Sequence, residues 1–137
     1  MIQYVIDASV ILGYLLQKNK EVAEKATALL KGLKAKATEI YAPSLLFTEV
    51  ANGLRFSLRD EGIAMQQFEK FSRLPIRCVS FSASQMKEII RLSFQLDATV
   101  YDVSYHFLAI LHGGIFLTCD ADYFRKAKRL GKIELVT

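Results

Sequence analysis

Four carboxylates stand apart from the other acids by their place in apolar sequence. Asp7 lies inside YVIDASVILGYLL, Glu49 inside SLLFTEVANGL, Asp102 opens YDVSYHFLAIL, and Asp120 follows IFLT in TCDADYF. An ionised carboxylate taken from water without a partner costs on the order of several kcal/mol, so each position needs a physical reason. If the four converge, like charges raise one another's pKa, and one acid stays protonated unless a cation joins them. A hard divalent cation suits such a set: Mg²⁺ takes oxygen ligands at ~2.0–2.1 Å, keeps several waters, and uses one or two carboxylates plus substrate phosphate. Two ions ~3.5–4 Å apart can flank an in-line displacement at phosphorus. Phosphodiester hydrolysis is the natural chemistry of the set.

Each acid also has a simpler explanation. Asp7 and Asp120 can be helix N-caps, whose replacement by Ala costs roughly 0.5–2 kcal/mol. Asp102 can be an early helix residue interacting with the macrodipole. Glu49 lies in mid-helix, where capping does not apply, although an ion pair with Arg55 or another base would account for it. Spacing alone leaves the metal and the structural readings open. Glu21, Glu24 and Glu88 sit amid lysines on expected helix faces and need no special account.

The elements that must position these acids follow from short apolar runs alternating with segments of helical period, the pattern of βαβ units. Strands are expected near 2–6, 39–42, 76–80, 115–118 and 133–136, and helices near 8–17, 20–36, 44–60, 62–73, 82–96, 101–112 and 121–130. Ser44 is placed to cap the helix bearing Glu49, Gly62 to separate it from the next, and Ser82 with Gln85 to form a capping box. In a parallel sheet the strand C-termini share one edge, so Asp7 and Asp120 meet there if their strands are neighbours.

The chain of 137 residues is the size of one domain, 1–137, with 52% hydrophobic and 23% charged residues, which excludes a disordered chain. Eighteen basic against fourteen acidic residues give a net charge of +4, compatible with a polyanionic partner without requiring one. Arg125, Lys126, Lys128, Arg129 and Lys132 read as a solvated helix face. Cys78 and Cys119 form no metal-ligand spacing, and Asp7 interrupts the first apolar run too early for a secretory signal. No uncharged apolar stretch reaches ~18 residues, so a cytoplasmic, membrane-free protein is expected. The chain carries neither a P-loop nor a GxGxxG motif, and Ser9 stands where an aspartate-nucleophile phosphotransferase would need a second acid.

From end to end, VIDASV, YAPSLLFTEVANGL, TVYDVSYHFLA and IFLTCDADYF follow one another in an order and at intervals that resemble PIN-domain ribonucleases, specifically the VapC-type toxins of prokaryotic toxin-antitoxin pairs. The resemblance implies that Asp7, Glu49, Asp102 and Asp120 are the catalytic quartet binding Mg²⁺ or Mn²⁺, with Ser9, Asn52 and Thr118 in support. Asp122 matches a second acid after the fourth strand, either touching metal through water or capping the last helix. Cys119 stands where alanine is usual. The implied fold is a three-layer α/β/α domain with a central parallel sheet of about five strands in order 3-2-1-4-5. The implied activity is hydrolysis of RNA phosphodiesters by metal-activated water, in a homodimer neutralised by a small VapB-type antitoxin. Two alternatives remain: a PIN nuclease of RNA processing outside any toxin pair, and an inactive PIN-like RNA- or protein-binding module.

His106 and His112 are read as a packed or surface residue and a helix-terminal residue, outside the site. Phe47, Phe56, Phe68 and Phe71 are read as core or subunit contacts rather than base-stacking groups, and the resemblance implies that the early helices and the 56–71 region contribute to dimer and antitoxin surfaces, with an exposed apolar patch there.

Overall fold

The computed structural model describes residues 1–136. Strand β1 (Ile2–Ile6) is followed by helices α1 (Ala8–Leu16) and α2 (Lys20–Lys34), then β2 (Thr38–Pro43), α3 (Leu45–Ser57) and α4 (Glu61–Ser72). The chain continues through β3 (Arg77–Val79), α5 (Ala83–Leu96), α6 (Val100–His112), β4 (Ile115–Thr118), α7 (Ala121–Ala127), a 3₁₀ turn at Lys128–Leu130 and β5 (Ile133–Leu135). The described strands form one parallel sheet in the order β3-β2-β1-β4-β5, as expected.

That order puts β1 in the middle, paired with β4 so that Ile6 lies beside Leu117. Helix α1 packs on α2, α3 and α4, and α6 packs on α5 and covers β1, β2 and β4; the right-handed rule for parallel crossovers, applied to this strand order, puts α1–α4 over one face and α5–α7 over the other. The core runs through both layers: Val5, Ile6, Phe116 and Leu117 from the sheet, Val10, Leu46, Val50 and Leu54 on one side, and Tyr105 and Leu108 on the other. Gly53 leaves room for Leu12 of α1 against α3, because a Cβ there would stand 2.3 Å from Leu12 Cδ1.

Several boundaries differ from expectation for identifiable reasons. Ser44 does not cap α3: its backbone is already helical (φ −59°, ψ −21°), whereas a cap needs an extended backbone to turn its hydroxyl onto the helix. Its N–H instead donates to Val79 O at 3.2 Å, tying the start of α3 to β3. Gly62 does not separate two helices; it lies in the first turn of α4, which Asp60 opens by accepting from Ile63 N at 3.0 Å. The break falls at the extended Leu58. The last helix stops at Ala127, tightens into the 3₁₀ turn, and ends where Gly131 takes φ +72°. The capping box of Ser82 and Gln85 is present in both halves.

His106 is buried, with Nδ1 2.8 Å from the Tyr123 hydroxyl and Nε2 2.7 Å from Gly131 O. His112 ends α6 and stacks on Tyr41 at 4.8 Å between ring centroids.

Candidate active site

Asp7 ends β1 and begins α1. Its extended backbone (φ −92°, ψ 175°) turns the carboxylate onto the helix, where Oδ1 accepts from Val10 N at 3.3 Å and from the Ser9 hydroxyl. Oδ2 accepts from Thr118 Oγ1 at 2.7 Å, at the end of the neighbouring strand. Thr118 is buried, and the same oxygen accepts from Asp120 N at 3.1 Å, so one hydroxyl joins Asp7 to the backbone of Asp120. The capping and clustering explanations of Asp7 are therefore compatible.

Asp120 caps α7 through Oδ1, which accepts from Tyr123 N at 3.0 Å. That leaves no capping role for Asp122. The alternative in which Asp122 caps the last helix is corrected: the cap must precede the first helical residue, and Asp122 lies inside the helix, paired with Arg125 and, at 3.5 Å, with Lys126. Asp102 occupies the first turn of α6, whose cap is Thr99; Thr99 Oγ1 accepts from Asp102 N at 3.1 Å. Glu49 projects from mid-α3 and makes no ion pair with Arg55; its Oε1 accepts from the Tyr105 hydroxyl at 2.5 Å. Asn52 is exposed one turn beyond Glu49 and has no hydrogen bond to the four carboxylates among the described residues.

The carboxylates feel one another. Burial raises the Asp7 pKa above the ordinary value; its bonds from Ser9, Thr118 and Val10 oppose that, and the charge of Glu49 adds to it. Asp102 is likewise raised, first by burial and then by Asp120, with a smaller contribution from Asp7; Thr99 and Lys126 act in the other direction. Asp102 and Asp120 line a depression of about 360 Å³ together with Thr99, Asp122, Tyr123 and Lys126, whereas Asp7 and Glu49 lie outside its lining. A larger hollow of about 590 Å³ lies away from this edge between α3 and α4, walled by Leu54, Leu58, Met65 and Phe68.

The donor set is all oxygen and mutually repelling, which fits a hard divalent ion that retains most of its waters. As placed, no three His, Cys, Asp or Glu side chains among the described residues lie close enough together to hold one ion. The fit is thus one of chemistry and of location at the sheet edge. Tyr105 is the site-edge residue that sequence reading missed. It stands one turn beyond Asp102, but its partner lies 56 positions away in sequence, on the helix across the sheet.

The PIN domain family model matches residues 4–130. No curated protein sequence matches the chain. Among solved structures, PAE2754 from Pyrobaculum aerophilum is similar at 19% identity, covering 98% of this chain and 90% of that one, with a TM-score of 0.69. VapBC2 from Rickettsia felis, bound to a DNA fragment from its promoter, is similar at 15% identity over 98% of this chain and 97% of that one, with a TM-score of 0.66. FitAcB from Neisseria gonorrhoeae is similar at 18% identity over 91% and 93% of the two chains, also with a TM-score of 0.66. At these identities the structural likenesses establish the fold.

Proposed function

The chain belongs to the PIN-domain family, and on that premise we propose that it is a metal-dependent endoribonuclease, the toxin of a VapBC-type pair. The observation that carries the reading is the edge of the sheet where Thr118 ties Asp7 to Asp120, with Asp102 and Glu49 within electrostatic reach. Fixed carboxylates that repel one another are a stability cost that a catalytic cation site explains and a binding module does not.

In this reading Asp7, Glu49, Asp102 and Asp120 hold Mg²⁺ or Mn²⁺. The ion supplies charge neutralisation, polarisation of the scissile phosphate and activation of water. The chain's own residues supply the positioning. Ser9, Val10 N and Thr118 fix both oxygens of Asp7, and the start of α7 fixes Asp120. With the ion bound, a carboxylate of the set would take a proton from the attacking water, and solvent would supply one to the leaving oxygen. Asp122, in the lining of the depression beside Asp102 and Asp120, and Asn52, one turn beyond Glu49, are assigned to contacts with the substrate or the hydration shell of the ion.

Partners follow from the surface. Met65, 66% exposed, lines the hollow between α3 and α4, and Phe56 on α3 is 77% exposed outside that lining, while Phe71 is buried among Phe47 and Phe68. Exposed aromatic and sulfur side chains on these helices suit a protein partner, and we assign them to the small VapB-type antitoxin and the homodimer. The VapBC complex among the similar structures supports the pairing. No helix of the described residues is long and apolar enough to cross a membrane, and a cytoplasmic location belongs to the same proposal.

RNA cleavage tests the reading. Cleavage with Mg²⁺ or Mn²⁺ should disappear with EDTA and fall by about 100-fold or more in Asp7→Asn, the scale of removing a group that acts directly on the transition state. Activity unchanged by both would overturn it. A short reading frame immediately upstream, encoding a protein that suppresses the cleavage, separates the toxin from an RNA-processing nuclease.

A further inference from the structure

The second acid of the set, Glu49, has an unusual setting. It projects from the middle of α3, where no helix terminus stabilises it, and no Lys, Arg or His forms an ion pair with it among the described residues. Its partner is a phenol. Tyr105 is 1% exposed, its ring lies nearly parallel to that of Phe116 (11°, centroids 5.9 Å apart), and its hydroxyl donates to Glu49 Oε1 at 2.5 Å. Phe116 is on β4, the strand that ends in Thr118.

A phenylalanine would fill the core at position 105 equally well, so the ring does not account for the hydroxyl. A buried hydroxyl is unfavourable unless it is paired, and here it is paired with one of the four carboxylates. A tyrosine ring has two side-chain torsions, so packing that fixes the ring also fixes the oxygen. Residues that hydrogen-bond metal-binding carboxylates orient them and tune their affinity.

We propose that Tyr105 is a positioning residue of the site: clamped between α6 and β4, it holds Glu49 through Oε1 and leaves Oε2 for a divalent cation. The proposal rests on the nuclease reading above. Glu49 is the one member of the quartet carried on a helix away from the strand ends and first helical turns, and Tyr105 is the link that ties it to the layer of Asp102 and Phe116.

The test is Tyr105→Phe, with Mn²⁺ binding to the RNA-free protein followed by the paramagnetic resonance of free Mn²⁺. Affinity should weaken by about 10- to 100-fold, the metal-free melting temperature should change little, and saturating Mn²⁺ should restore most of kcat with KM for RNA unchanged. A merely structural role would not be rescued by metal. In a Glu49→Gln background the added Tyr105→Phe should have no further effect. Equal Mn²⁺ affinity in Tyr105→Phe and wild type, or an undiminished loss in the Glu49→Gln background, overturns the proposal. A wild-type protein that binds no Mn²⁺ overturns the nuclease reading and this one with it. If Tyr105→Phe does not fold, 3-fluorotyrosine at position 105 replaces it. Its ¹⁹F resonance should shift on adding Mg²⁺ to the otherwise wild-type protein and not in Glu49→Gln; an unmoved resonance in both overturns the proposal.

Discussion

At the scale of single residues, the same desolvation that prepares the carboxylates opposes folding. Asp102 is held above its ordinary pKa by burial and by Asp120. The folded state therefore binds this proton more tightly than the unfolded chain, and stability falls as pH rises from the unfolded value through the folded one. Above both, at neutral pH, the full penalty applies. Asp102→Asn should accordingly raise the melting temperature in metal-free buffer at pH 7 while abolishing cleavage. Added Mg²⁺ should stabilise the wild type more than the variant, because a ligand that binds only the folded state raises its stability. Calorimetry with and without Mg²⁺ checks both signs.

At the scale of elements, the approach of α1 to α3 sets how far Glu49 stands from Asp7. Gly53 permits that approach against Leu12. Gly53→Val should cost about 1–3 kcal/mol by overpacking and weaken Mn²⁺ binding, although the new side chain would meet Leu12 rather than any of the four carboxylates; denaturant titration and metal binding measure the two effects. Much of this arrangement was legible in sequence, because periodicity, Asp7 before an apolar helix, and the Ser82–Gln85 pair are local signals. Ser44 resembles a cap but does not act as one, because Pro43 is still in the strand and the chain enters α3 directly from it; Gly62 resembles a separator, but Asp60 two residues earlier is the stronger helix-start signal. The Tyr105–Glu49 bond was not legible. It depends on how two helices from different crossovers meet across β1 and β4, which no window of sequence contains.

At the scale of the whole molecule, β5 and the turn before it are fastened through His106. Its imidazole bridges Tyr123 and Gly131, and burial lowers its pKa, with the bond to Gly131 acting in the other direction. A histidine with a lowered folded pKa contributes stability that is fully present above the unfolded value of about 6.5 and is lost as pH falls towards the folded one. His106→Gln should lose about 1–3 kcal/mol at pH 7.5 through its weakened bonds, and its deficit should narrow at pH 5. Thermal unfolding of both proteins across that range would show the two curves converging; parallel curves would exclude His106 as the acid-sensitive fastening.

The hydroxyl between Asp7 and Asp120 has one proton, and that fixes a direction. The Asp120 amide donates to Thr118, Thr118 donates to Asp7, and Ser9 and Val10 donate to the other Asp7 oxygen. Position 7 is thus ringed by donors and demands two accepting oxygens. Asparagine offers one. The Val10 amide cannot turn away, so the new NH₂ must face Thr118, whose proton then has to swing off the strand-to-strand link. Asp7→Asn therefore removes a charge and also reverses a handshake between β1 and β4, and a neutral residue at this place is a rewired edge rather than a silent copy of it.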